Sequence, residues 1–104
     1  MSQATDTERL DPVVTDPQFY SVVFENERVR VLEYRDGPGD RTSMHSHPDM
    51  VIIPLATFRR RLTVGDRTVE VEKTALDAGW VDACTHVGEN IGETDSHVLF
   101  VELK

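Results

Sequence analysis

From Phe19 onward the apolar residues fall in short runs separated by turn residues, at intervals too tight for helices of ten residues or more. This pattern predicts an all-β chain. Phe19 to Phe24 (FYSVVF) is followed by a polar break at Glu25, Asn26 and Glu27, after which Val29 and Val31 alternate with Arg28 and Arg30 as in a half-buried strand. Asp36 to Asp40 (DGPGD) is a strong turn signal. Met50 to Leu55 (MVIIPL) reads as a buried strand whose end Pro54 places at a bulge or an edge, and His97 to Leu103 (HVLFVEL) reads as a closing strand. Residues 1–17 are polar, with Pro12, Pro17 and scattered apolar positions, and predict a flexible N-terminal arm ahead of one domain over 18–104. Val13 and Val14 give that arm a patch able to pair with a sheet edge of this chain or of a second copy.

Around Gly65 and Asp66 the prediction extends to register, because a two-residue loop fixes which residues face each other. Val64 then opposes Arg67, Thr63 opposes Thr68, Leu62 opposes Val69, Arg61 opposes Glu70, Arg60 opposes Val71, and Arg59 opposes Glu72. Opposite charges meet on the solvent face at Arg61/Glu70 and Arg59/Glu72. The other face carries Phe58, Leu62, Val64, Val69 and Val71, together with Arg60, which has no acid across the strand.

Composition narrows the function. The 104 residues amount to one domain. A net charge of −8 repels a phosphate backbone, so nucleic acid is excluded as the expected partner. No apolar run is long enough to span a bilayer, and the N-terminus lacks the basic start and apolar stretch of an export signal, so the expectation is a cytoplasmic protein with no membrane partner. Cys84 is the only cysteine, which rules out an intrachain disulfide and a multi-thiolate metal site.

The candidate chemistry lies in the histidines. His45 and His47 stand at i and i+2, so on a strand both rings point to one face and can share a metal. His86 follows about forty residues later, after enough chain for a return strand to bring it opposite. Three imidazoles with open positions suit a catalytic first-row metal. Asp49 continues the alternation of His45 and His47, and Cys84 lies two residues before His86, so both are possible additional ligands. Trp80, Phe58, Phe100 and Tyr34 read as core or pocket wall, His97 as a sheet or interface residue, Glu89 as solvated surface, and Asn90 as a turn residue bonded to backbone.

Gly39, His45 and His47 match the Gly, five residues, His, one residue, His spacing that opens the first motif of the cupin superfamily, and His86 with Asn90 match the His, three residues, Asn that ends the second. Over roughly residues 19–104 the chain resembles the small single-domain cupins, many uncharacterised, including those named for β-alanine degradation. That resemblance implies a double-stranded β-helix, a jelly-roll barrel, with a divalent metal in its mouth held by His45, His47 and His86. Fe2+ is favoured, with Ni2+, Zn2+, Mn2+ and Cu2+ also compatible. Two departures stand out: Val51 and Ile52 occupy the place of the family's metal-binding Glu, and Val81 to Cys84 replace the Pro and second Gly expected before the histidine.

Without that Glu, three neutral histidines leave a divalent metal its full charge, which favours an anionic ligand such as a carboxylate or enolate. Arg60 is the expected substrate-binding residue, clamping the far end of a small anionic organic molecule. The leading expectation is a metalloenzyme with three-histidine dioxygenase-like or related chemistry. The alternatives are a non-catalytic cupin that binds a small metabolite or a metal, and a structural barrel whose metal site has decayed. A homodimer is expected, because small cupins commonly pair through sheet edges.

Overall fold

The structure is a computed structural model that describes residues 10–104. A short helix, α1 (Pro12–Thr15), precedes nine strands: β1 (Tyr20–Glu25), β2 (Val29–Asp36), β3 (His45–His47), β4 (Met50–Pro54), β5 (Phe58–Val64), β6 (Arg67–Lys73), β7 (Gly79–Val81), β8 (Cys84–Asn90) and β9 (Ser96–Leu103). They form two antiparallel sheets, one of five strands in the order β1-β2-β9-β4-β7 and one of four in the order β3-β8-β5-β6. The all-β expectation holds, and so does the hairpin: all six predicted cross-strand pairs from Arg59/Glu72 to Val64/Arg67 are present. Gly65 takes φ +61° at the first position of the loop, the conformation that a Gly in this hairpin turn supplies without strain. On the solvent face Glu70 bridges Arg61 at 3.3 Å and Arg59 at 3.6 Å, so the diagonal neighbour replaces the direct Arg59/Glu72 pair.

The two walls of the barrel differ in character. Tyr20, Leu32, Tyr34, Met50, Ile52 and Val98 of the five-stranded sheet are buried, and only Phe58 joins them as a buried apolar residue from the other sheet. In place of hydrocarbon the four-stranded sheet buries His45, His47, Arg60 and Asn90. The core is therefore apolar on one side and polar on the other. Each strand end of the polar wall must be held by hydrogen bonds, because a buried polar group without a partner costs on the order of 1–3 kcal/mol.

Three expectations change. Of the predicted arm, residues 1–9 lie outside the described residues, while residues 10–17 are folded onto the barrel. Asp11 caps α1 by accepting the Val13 amide at 3.0 Å and takes the Arg30 guanidinium through both carboxylate oxygens. Asp16, 1% exposed, accepts the Ser43 amide at 2.8 Å, and the Leu10 carbonyl accepts the Ser46 amide at 2.8 Å. Composition understated this segment because its two carboxylates find buried partners on distant strands. Trp80 is not core: it lies on the edge strand β7, where the alternation turns Val81 inward and leaves Trp80 54% exposed, its indole N–H donating to Asp82. Val64 and Val69, on the inner face as expected, are each 48% exposed, since β6 is the outermost strand and the opposite sheet does not reach them.

Candidate metal centre

Strand β3 pairs antiparallel with β8, setting His45 opposite His86 and His47 opposite Cys84. The i, i+2 spacing puts His45 and His47 on the inner face, and the register brings His86 beside them. One ligand atom from each ring lies within 4.8 Å of the others, close enough for one ion. The ring centroids are 4.8 to 5.5 Å apart and nearly perpendicular.

Two of the rings, His45 and His47, are oriented by hydrogen bonds. His45 Nδ1 faces the Ser43 carbonyl at 2.8 Å, so that nitrogen carries the proton and Nε2 carries the lone pair, which accepts from the Tyr20 hydroxyl at 3.2 Å. His47 Nδ1 donates to Glu102 Oε2 at 3.0 Å, leaving its Nε2 lone pair directed into the barrel. That Nε2 is fully buried and has no hydrogen-bond partner among the described residues. Glu102 is held in turn by Arg30, whose guanidinium bridges it to Asp11 of the N-terminal segment. A carboxylate behind a ligating imidazole fixes its tautomer and raises its basicity.

Burial pushes the His45 pKa down to about 4, and burial with the neighbouring His45 and His47 pushes His86 down to about 3, against 6.5 for a free ring. Both are neutral at physiological pH, the form that binds metal. The donor set thus fits a divalent metal: three imidazoles in reach of one point, one with a buried ring nitrogen that has no hydrogen-bond partner among the described residues.

The other sequence candidates separate. Asp49 is exposed and its carboxylate accepts the Ala83 amide at 2.8 Å, away from the cluster, because Pro48 interrupts the alternation between His47 and Asp49. Cys84 is half-buried with Sγ 3.9 Å from His86 Nδ1, and burial raises its pKa, which keeps it a thiol. Arg60 turns inward as its strand position requires and lines a cavity between the sheets, but it is not unpartnered. Its acid comes from the other sheet: Nη1 donates to Asp36 at 2.6 Å and Ser96 at 3.1 Å, and Nη2 to the Tyr34 hydroxyl at 3.1 Å. Gly88 makes room for it, since a Cβ there would stand 2.6 Å from Nη2. Asn90 bonds the backbone at Gly92 and Thr94 and also donates to Asp36. His97 pairs with Glu33 on the surface of the sheet, and the half-buried Glu89 with Arg61. Sequence reasoning missed Glu102, Asp36 and Tyr20, which stand 24 to 55 residues from the groups they serve.

No family model matches the chain, and no curated protein matches it. Solved structures do. A cupin domain from Bordetella pertussis Tohama I is 29% identical, with a TM-score of 0.76 over 82% of this chain and 91% of that one. A cupin with a double-stranded β-helix fold from Methanocaldococcus jannaschii is 14% identical, with a TM-score of 0.65 over 81% and 77% of the two chains. A predicted oxalate decarboxylase from Thermotoga maritima is 18% identical, with a TM-score of 0.57 over 82% and 79%. Together with the two facing antiparallel sheets and the histidine cluster at β3 and β8, these likenesses define the class as a double-stranded β-helix of the cupin type. Within it, the described residues form one domain that resembles small cupin structures.

Two outcomes follow from this geometry. The unfolded chain takes up protons at His45 and His86 below pH 6.5 that the folded chain refuses until about pH 4 and 3. Stability of the metal-free protein is therefore unaffected by these rings above pH 6.5 and falls as the pH drops below it, by up to about 1.4 kcal/mol per pH unit for each ring. Urea unfolding at a series of pH values measures this, and neutral-imidazole nitrogen shifts for both rings at about pH 5 are the corresponding NMR signature. Glu102→Gln keeps a side chain of the same shape but removes the charge behind His47, and metal affinity should fall about 10–100-fold with the fold retained. Competition with a chelator of known affinity reads that change; equal affinity in the two proteins would show that Glu102 serves packing alone.

Proposed function

We propose that this cupin holds one divalent first-row metal on His45, His47 and His86 and uses it to bind and transform a small anionic organic molecule. The observation that carries the reading is the buried Nε2 of His47, without a hydrogen-bond partner among the described residues and within reach of two further imidazoles. A buried polar atom calls for a partner, and a metal ion is one that this donor set can hold. When bound, the metal supplies Lewis-acid and ligand-activating chemistry at its open positions, with Fe2+ the first candidate. The chain's own contribution is orientation: the Ser43 carbonyl and the Glu102 carboxylate hold the protons of His45 and His47 on the outer nitrogens. Tyr20, buried in the core, keeps a hydroxyl beside His45, and its pKa is raised by burial, so it stays protonated and able to donate. The hydrocarbon of Met50, Ile52 and Phe100 limits water around the rings.

A decayed site explains less. The Asp11–Arg30–Glu102–His47 chain of contacts is complete, and a structural barrel has no need of an unpaired imidazole nitrogen in its interior. Elemental analysis of protein purified without a chelating tag is the test. Close to one metal per chain should be found, falling sharply in each of His45→Ala, His47→Ala and His86→Ala. Unchanged metal in all three variants would reject the site.

The proposal includes pairing of two copies along the open edge of β1. This strand leaves Val22, Val23 and Phe24 exposed on both faces beside a backbone edge that no other described strand pairs, a surface that a second β1 would cover by antiparallel pairing about a two-fold axis. Light scattering should give a dimer for the native protein and a monomer for Val23→Lys; a native monomer at all concentrations would remove the pairing.

A further inference from the structure

The cavity beside the histidines has a volume of about 250 Å³ and runs between the sheets. It exceeds the cavity of about 150 Å³ that accommodates benzene, so a ring with a short side chain or a chain of several carbons fits. Its wall is mainly apolar, with Ile52, Phe58, Leu62, Val71, Val98 and Phe100 among its residues, and no acidic side chain among the described residues lines it. Two cations do, and they differ. Arg60 is compensated: Asp36, its side chain wholly buried, takes Nη1, the Tyr34 hydroxyl takes Nη2, and the guanidinium carbon lies 4.9 Å from the centre of the Tyr34 ring. Lys73 is half-buried with no acidic partner among the described residues.

Building on the metal reading above, we infer that the ligand is an apolar monoanion, with an acidic head at the histidine-bound metal and a hydrocarbon body, aromatic or branched, against the cavity wall. A second polar group on that body would meet hydrocarbon, where an unpaired hydroxyl or amide costs several-fold or more in affinity. A second carboxylate would meet an Arg60 whose charge Asp36 already balances. The head, by contrast, would meet a metal whose charge three imidazole ligands do not reduce, since an imidazole binds a metal only as the neutral ring. Arg60 accordingly serves as a positioning residue that braces the polar wall.

The test is calorimetric titration of the metal-loaded protein with straight-chain monocarboxylates from acetate upward and with phenylacetate. Oxalate and longer dicarboxylates, together with the matching amides and alcohols, serve as comparisons. Affinity of the monoacids should rise about fourfold per methylene until the cavity is full, the increment expected for burying each such group. Dicarboxylates and amides of equal length should bind at least tenfold more weakly than the monoacids. Val71→Phe, which fills part of the wall from an outer strand, should end the rise at a shorter chain while metal content stays unchanged. A flat series would overturn the apolar body. Dicarboxylates that bind more tightly than monoacids, and lose that advantage in Lys73→Met, would overturn the monoanion and place a second acid at Lys73. Protein that carries no metal would overturn the reading this rests on and the anionic head with it, and the alcohol series would then still decide the apolar body, rising with chain length if it is right and flat if it is wrong.

Discussion

The buried polar side chains of the four-stranded sheet have to be hydrogen-bonded, and the opposite sheet provides most of the partners. His47 reaches Glu102 of β9, His45 reaches Tyr20 of β1, and Arg60 reaches Asp36 and Tyr34 of β2. Asn90 shares Asp36 and Ser96 with Arg60, which gathers two inward side chains of β8 and β5 around one carboxylate. Each bond crosses the barrel, so spacing between the sheets and orientation of the rings are set by the same contacts. Removing one partner would strand the other in hydrocarbon, a larger loss than the bond itself contributes. The histidine cluster is therefore part of what joins the two walls.

The N-terminal segment extends this dependence. Leu10 adds its carbonyl to the free side of β3 at Ser46, Asp16 holds Ser43, and Ser43 in turn holds the His45 ring. On the other side Asp11 and Glu102 share Arg30, and Glu102 holds His47. Strand β3 is only three residues long and is an edge of its sheet, so its pairing with β8 alone would leave two buried rings on a short, one-sided strand. Residues 10–16 supply the missing side.

What could be read in the sequence was local or periodic. The spacing of His45 and His47 placed both rings on one face, the turn at Gly65 set six residue pairs from Arg59/Glu72 to Val64/Arg67, and alternation turned Arg60 inward. The cupin spacing supplied His86. Partners that depend on which strands face each other were beyond a local reading: Arg60 lies 24 residues from Asp36, and His47 lies 55 from Glu102. Composition misjudged residues 10–17 for the same reason, because Asp11 and Asp16 look like solvated acids until Arg30 and Ser43 are brought to them. Trp80 shows the converse error, a large apolar residue assigned to the interior that an edge strand turns outward.

The carboxylate absent from positions 51 and 52 has a counterpart elsewhere in the barrel. Strand β4 turns Met50 and Ile52 into the core as hydrocarbon, and the residue opposite Met50 on β9 is Glu102. An acid is thus present beside the histidines, yet it meets the outer nitrogen of His47 and its second oxygen meets Arg30, so it stands behind a ligand and is neutralised there. The difference matters for charge. A carboxylate bound to the metal lowers the charge offered to a ligand, whereas one placed behind an imidazole strengthens that imidazole and leaves the open positions of a dication facing the cavity. Were a dication held there, the hydrocarbon around its open positions would offer no counter-charge and would weaken the screening by water, which would strengthen the attraction for an incoming anion.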